Sequence, residues 1–248
     1  MKQWRAWLEP AIAAVAFLSV WALGLNQRVF LALNSLGPAT SDWLWANITV
    51  LGDTVVAFAL CLPLWRRRPD LLWAFLFLAL LGTLWVHGLK HVFEVARPPG
   101  VLPDVHIIGP GYKAGSFPSG HATTVFAVAG LIAIGARFRT TYVILVTAAL
   151  VAALSRSVVG VHWPLDILAG AFGGWLSAIL ALELGRRTYR LGSKAWVQWG
   201  LGLFLAVCAA WLVIGHPRSG YPQADLFQRA IGICCLGAAA ARLKRAAA

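Results

Sequence analysis

Eight apolar runs recur along this chain of 248 residues, at 11–25, 50–65, 71–89, 121–136, 141–155, 165–184, 196–215 and 226–241. They constrain its fold more than any other feature. A hydrocarbon core of about 30 Å takes about 20 apolar residues per crossing helix, so eight crossings use roughly 160 residues. What remains suffices for connections and nothing more. Lipid offers no partner to a backbone N–H or C=O, so each run has to satisfy its own hydrogen bonds as a helix. The expected class is all-α: a polytopic membrane protein of about eight spans. Charged residues make up 12% of the chain, about half of what a soluble domain carries, which excludes a typical soluble enzyme.

A net charge of +12 raises the question of nucleic acid. The distribution answers it. Fourteen cations, at Lys2, Arg5, Arg66 to Arg68, Arg137, Arg139, Arg186, Arg187, Arg190, Lys194, Arg242, Lys244 and Arg245, fall on one side of the span pattern. Seven, at Arg28, Lys90, Arg97, Lys113, Arg156, Arg218 and Arg229, fall on the other. The positive-inside rule then puts both termini in the cytoplasm. The basic balance is topological, and its partners are membrane lipids with anionic head groups, with no nucleic acid. Lys2 and Arg5 precede an apolar stretch without a clear small-x-small cleavage site, so the first span reads as an uncleaved anchor. Cys61, Cys208, Cys234 and Cys235 all lie inside apolar runs and read as packing residues.

Three connections on the side opposite the basic one are more than turns. Segment 26–49 places Val29, Phe30, Leu33 and Leu36 at helical spacing, which predicts an interfacial helix, a turn at Gly37-Pro38, and Trp43 and Trp45 at head-group depth. Segment 98–117 is dense in Gly and Pro and reads as an external loop. The third, 156–163, is short. No repeat of 20 to 50 residues is visible, so the chain reads as one domain.

Ionisable residues concentrate at this same face. Lys90 with Arg97-Pro98, Pro118-Ser119-Gly120-His121, and Ser155-Arg156 with His162 and Asp166 form three clusters at the ends of the third to sixth spans. Together they suit a phosphate group. Arg97 and Arg156 supply forked planar donors and Lys90 a compact charge. Ser119 and Gly120 precede an apolar run, so helix N-terminal N–H groups point at an anion. No metal site and no cofactor are called for, since no acidic pair or His/Cys cluster among these residues has ligand spacing. His162 and Asp166 stand four apart, with Pro164 suited to a first helical turn. A carboxylate at that distance holds an imidazole in the tautomer that leaves its other nitrogen free. These positions assign His162 as nucleophile, Asp166 as its orienting partner and His121 as general acid, then as base for water.

The spacings K-x6-R-P, P-S-G-H and S-R-x5-H-x3-D resemble the tripartite signature of the type 2 phosphatidic acid phosphatase superfamily, which includes membrane lipid phosphatases, soluble acid phosphatases and vanadium haloperoxidases. The motifs cover residues 90–170. The resemblance implies a six-helix core over 1–190, with residues 191–248 supplying two additional C-terminal spans that are not an independent domain. It implies phosphate binding by Lys90, Arg97, Ser119, Gly120, His121 and Arg156, phosphorylation of His162, and support from Asp166. In a bacterial cell the expected activity is metal-independent hydrolysis of a lipid phosphate or diphosphate at the outer, periplasmic face of the inner membrane. Undecaprenyl diphosphate is ranked first. Phosphatidylglycerol phosphate, phosphatidic acid and lipid A phosphates are alternatives, as is transfer of the phosphoryl group to another lipid.

Taken singly, each motif has a plainer reading. Lys90 and Arg97 suit snorkelling cations, Ser119 a helix cap, and His162 beside Trp163 an interfacial pair. Their joint order selects the phosphate site. His87, His91 and Glu94 read as hydrogen-bonding partners around Lys90, or as packing near the interface, rather than as a metal site. Asp53 reads as a helix cap, Trp43, Trp45 and Trp163 as interfacial anchors, and Glu183 as an ion-pair partner of Arg186 and Arg187. A transporter would carry its charges near mid-membrane. Here they stand at span ends.

Overall fold

The structure, a computed structural model, describes residues 6–247, with side chains to residue 243. Lys2 and Arg5, and the side chains of Lys244 and Arg245, lie outside the described residues. Thirteen helices follow one another: α1 (Leu8–Ala22), α2 (Asn26–Asn34), α3 (Leu36–Ala39), α4 (Asp42–Thr49), α5 (Thr54–Cys61), α6 (Pro69–Phe93), α7 (Pro98–Val101), α8 (Gly120–Ala133), α9 (Arg139–Val158), α10 (Pro164–Arg187), α11 (Tyr189–Gly192), α12 (Ala195–Ile214) and α13 (Asp225–Ala247). Among the described residues there is no strand. The all-helical expectation holds.

The eight apolar runs do not all become straight spans. Among the described residues five helices, built on α6, α9, α10, α12 and α13, are long and apolar enough to cross a membrane. Two further stretches qualify only as bent pairs, with α1 meeting the α2–α3 segment at 106° and the α4 segment meeting α5 at 64°. Where α4 gives way to α5, Asp53 accepts hydrogen bonds from the N–H groups of Val55 (2.8 Å) and Val56 (3.3 Å), so a new helix starts there at a new angle. The predicted turn at Gly37-Pro38 lies instead at Thr40-Ser41, because residues 36–39 close a helical turn of their own. Helix α8 has only 14 residues, about 21 Å at 1.5 Å per residue. It is buried on most of its surface by its neighbours, so protein rather than lipid sets its length.

Small residues hold the centre. Between helices surrounded by lipid there is little hydrophobic gain, and close van der Waals approach of backbones takes over. Helix α10 presents Gly170 and Gly174 to α8. A Cβ on Gly170 would stand 2.6 Å from the Ser119 carbonyl oxygen, and one on Gly174 would collide with the Thr123 carbonyl. Around this contact Phe126, Ala129, Ala153, Ile167 and Trp175 form one core, with Ala13 of α1 packed against it. The Trp175 indole N–H, fully buried, donates to the Ala6 carbonyl at 2.8 Å. A second core joins α5, α6 and α8 to α12 and α13 through Leu62, Leu72, Leu131, Leu205, Leu212 and Cys235. Helices α12 and α13 thus pack on the side of α5. All four cysteines are free, as their apolar positions suggested.

Two ends of the bundle differ in chemistry. At one, Arg68 pairs with Asp70 (2.7 Å), and Arg186 and Arg187 pair with Glu183 (2.8 and 2.6 Å). At the other, the 26–49 segment, the 98–117 loop and the α12–α13 connection come together over the N-termini of α8 and α10. Trp43 is 61% exposed there, whereas Trp163 is buried. The Trp163 ring packs 5.1 Å from that of Phe30, and its indole N–H donates to the Ala96 carbonyl at 2.9 Å. This corrects its reading as an interfacial anchor, because a tertiary acceptor draws the ring inside.

Close packing at Gly174 generates a test. Gly174→Ala forces α8 and α10 apart and is expected to cost about 1–3 kcal/mol, the range for overpacking. Gly88→Ala on α6, where an added Cβ meets nothing within 4 Å, is expected to be neutral or stabilising. Thermal unfolding of the two variants in detergent checks the contrast.

Candidate active site

Helix starts and the residues just before them position the polar groups. Ser119 caps α8, its hydroxyl accepting from the Ala122 N–H at 3.3 Å, and its own N–H donates to the Asp166 carbonyl at 3.0 Å. The first turn of α8 is thereby anchored on the first turn of α10. Pro164 opens α10 without wasting an N–H, and the Asp166 carboxylate accepts from the Trp163 N–H at 2.8 Å. In α9, Arg156 stands on the last turn, and its carbonyl accepts from the N–H of His162 at 3.2 Å. The peptide from 156 to 162 is therefore folded back on itself, so that His162 follows closely on the end of α9.

His162 is 2% exposed and Asp166 equally so. The imidazole Nδ1 lies 3.3 Å from Asp166 Oδ2, as the four-residue spacing predicts. That oxygen also accepts from the Ser116 hydroxyl at 2.5 Å and from the Trp163 N–H. With Nδ1–H directed at the carboxylate, Nε2 carries the lone pair. Arg97 NH1 stands 3.2 Å from Nε2. The same guanidinium is spread over the carbonyls of Ala114 (2.9 Å), Gly115 (3.3 Å) and Val161 (3.2 Å), and its carbon lies 5.4 Å from the Tyr112 ring centroid. Lys90 also donates to the Gly115 carbonyl. Loop 98–117 thus fastens to both cations by its far end.

Arg156 is 5% exposed. Its NH1 donates to Thr49 Oγ1 (2.7 Å) and to the Tyr221 hydroxyl (2.8 Å). Its Nε is buried with no partner, and among the described residues no carboxylate pairs with it. A buried donor left unpaired costs about 1–3 kcal/mol. An anion with oxygens toward the Nε and NH2 edge removes that cost and supplies the missing counter-charge.

The three clusters, separated by up to 76 positions between Lys90 and Asp166, are brought to one place. Burial, then the charges of Arg97, Arg156 and Lys90, push the His162 pKa well below the usual imidazole value. Both causes disfavour the charged ring. His121, on the first turn of α8, rests against Gly52, where an added Cβ would come within 2.8 Å of its own. Below it a cavity of about 200 Å³ runs between α5, α6 and α8, from Thr54, His87 and His121 down to Phe75 and Val128. Its mouth is polar and its floor apolar.

Some expectations shift. Ser155, although in the motif, bonds back to the Ala152 carbonyl at 2.6 Å and faces its own helix. His87 lines the cavity, while His91 and Glu94 are exposed on the last turn of α6 and at its end. Neither histidine hydrogen-bonds to Lys90, which is held by the loop instead. Among the described residues no three His, Cys, Asp or Glu side chains gather as a metal-binding group. Ser116, Thr49 and Tyr221 were not singled out in the sequence. They are common hydroxyl residues outside the motifs, and only folding brings them to the charged groups.

This chain is similar to known proteins over much of its length. The profile of the PAP2 superfamily matches residues 70–190. The undecaprenyl-diphosphatase of Sulfolobus acidocaldarius is 29% identical over 162 residues, 62% of this chain and 76% of that protein. A lipid A 1-phosphatase of Rhizobium etli is 38% identical over 85 residues, 33% of this chain, and the match spans only 35% of that relative's length. The crystal structure of Aquifex aeolicus LpxE superposes with a TM-score of 0.59 at 30% identity, covering 64% of this chain and 95% of that one.

The lowered pKa of His162 carries a sign. A group disfavoured in its charged form stays neutral as the pH falls through 6.5, the ordinary imidazole value. Histidine-ring NMR on the purified protein is expected to show His162 neutral at that pH. Arg97→Gln removes the largest of the charges acting on it and is expected to move its titration upward.

Proposed function

Because the chain belongs to the PAP2 superfamily, we propose that it is a lipid phosphate phosphatase that works without a metal through a phosphohistidine, with undecaprenyl diphosphate as its first-ranked substrate. One observation carries this reading. The buried Arg156 has an unpartnered Nε and no carboxylate, and its backbone carbonyl accepts from the N–H of His162, whose Nδ1 is held by Asp166 and whose Nε2 meets Arg97. A tetrahedral oxyanion satisfies the first and meets the nucleophile of the second.

In this reading Lys90, Arg97, Arg156 and the Ser119-Gly120-His121 start of α8 bind the phosphate oxygens. His162 Nε2 attacks phosphorus in line, forming a P–N bond as the bond to the lipid or lipid-phosphate oxygen breaks. His121 gives its proton to that leaving oxygen. It then takes a proton from water, whose oxygen attacks phosphorus, and the P–N bond breaks to release inorganic phosphate. Asp166 holds the imidazole and stabilises its positive charge in the intermediate. Desolvation of His162 favours the neutral form needed for attack.

The cavity beneath His121 supports a substrate with a lipid chain. Along α6 its lining extends from His87 to Phe75, about 18 Å at 1.5 Å per residue, enough to take the first carbons of a chain. The same reading assigns residues 1–190 to a six-span catalytic core and 191–248 to two additional spans that are not an independent domain. Cation asymmetry supports an orientation with both termini in the cytoplasm and the site facing the periplasm of a bacterial inner membrane. A lipid A phosphate is the second reading, favoured by the local 38% identity with the rhizobial 1-phosphatase.

Phosphate release in EDTA from undecaprenyl diphosphate, phosphatidylglycerol phosphate, phosphatidic acid and a lipid A phosphate tests the proposal. One substrate is expected to turn over rapidly, with vanadate competing. His162→Ala is expected to lose more than about 99% of the rate, two decades of transition-state stabilisation. A requirement for added metal, or substantial turnover by this variant, would remove the mechanism. Appearance of phosphate on an acceptor lipid would replace hydrolysis by transfer.

A further inference from the structure

We propose that Tyr221, in the connection between α12 and α13, is a positioning residue for the phosphate-binding edge of Arg156, so that the C-terminal hairpin completes the site. The proposal rests on the phosphatase reading above and extends it beyond residues 70–190, the part matched by the family profile.

A guanidinium has five N–H donors in a rigid plane. At Arg156 both hydrogens of NH1 are engaged, one by Thr49 Oγ1 at 2.7 Å and one by the Tyr221 hydroxyl at 2.8 Å. Two acceptors on one terminal nitrogen remove rotation about the side chain's last bonds. They leave Nε without a protein partner, so that the Nε and NH2 edge is the one available to two phosphate oxygens. Both partners are neutral hydroxyls, so they orient the cation without cancelling its charge. A carboxylate in either place would fill the role of the substrate.

Tyr221 is itself held. Its side chain is 2% exposed, packed with Ala46, Val50, Ile108 and Val161. Gly109 lies under the ring, where an added Cβ would come within 2.6 Å of Tyr221 Cε1. The connection has a second mooring close by. His216 Nε2 stands 3.2 Å from Asp53 Oδ1, and the Trp211 indole N–H donates to His216 Nδ1 at 3.1 Å. Asp53 caps α5 and follows Gly52, the residue against which His121 rests. The hairpin therefore reaches both the arginine and the support of the second histidine.

The test compares Tyr221→Phe, which keeps the ring and removes the acceptor, with Thr49→Val, Arg156→Gln and, as a control on the same connection, the exposed Arg218→Ala. Vanadate inhibition, KM and kcat for the lipid that turns over fastest, and the thermal midpoint are measured on full-length protein in detergent with EDTA. Expected for Tyr221→Phe and Thr49→Val is a rise of about 3- to 10-fold in both KM and the vanadate inhibition constant. Turnover should stay within about twofold, because uniform phosphate binding has been weakened, while the midpoint falls by a few degrees at most, since one NH1 hydrogen loses its buried acceptor. Arg156→Gln should show a larger rise and Arg218→Ala none. Unchanged KM and vanadate inhibition in Tyr221→Phe, while Arg156→Gln is impaired, would overturn the positioning role alone. Should Tyr221→Phe fold poorly, the same comparison on Thr49→Val decides. Full vanadate sensitivity in Arg156→Gln would overturn the phosphate-site reading and this role with it.

Discussion

Positive charge without enough negative charge to match it is the condition on which the site end of this protein depends. Lys90, Arg97 and Arg156 converge on a region whose one buried carboxylate among the described residues, Asp166, is already committed to His162, Ser116 and the Trp163 N–H. Burying cations is costly unless they are paired or well hydrogen-bonded. The fold meets this condition with neutral acceptors: the carbonyls of Ala114, Gly115 and Val161 for Arg97, and the hydroxyls of Thr49 and Tyr221 for Arg156. Each acceptor orients its cation and leaves the charge intact, which is the state an anionic ligand favours.

That condition explains features of the fold that lie away from the charges. Carbonyls free to accept are found in irregular backbone, so the 98–117 loop has to fold back over α6 and give up its own regular hydrogen bonding. Helix N-termini are the other source of anion-binding groups. Bringing two of them side by side requires α8 and α10 to touch closely near their starts, which Gly170 permits by leaving room for the Ser119 carbonyl. The same helix starts expose His121 above a channel whose walls become apolar with depth. Polar chemistry and lipid-compatible space thus share one boundary, set by where α8 begins.

Much of this was legible in the sequence. The three motifs named Lys90, Arg97, Ser119, Gly120, His121, Arg156, His162 and Asp166 because chemistry fixes residue types at short spacings within a helix start or a helix end. The Nδ1 to Asp166 contact spans four residues, with His162 two positions ahead of α10 and Asp166 in its first turn. Asp53 as a cap and Glu183 with Arg186 and Arg187 were equally local. Trp163 was misread because its partners, Phe30 and the Ala96 carbonyl, are distant in the chain. Ser116, Thr49 and Tyr221 left no local signal for the same reason.

By itself the sequence determined which segments are helical and apolar, since periodic composition and the absence of water in a bilayer leave no alternative. It also determined which residue types meet a phosphate, since charge and hydrogen-bonding capacity belong to the side chain. Only the tertiary structure decided that two apolar stretches bend and that α8 is short and enclosed. It alone decided that the connection between the last two long helices lies against Arg156. These outcomes depend on contacts between residues up to 172 positions apart, as between Thr49 and Tyr221 around one guanidinium. Such pairs are selected by the packing of whole helices, and no spacing within a motif records them.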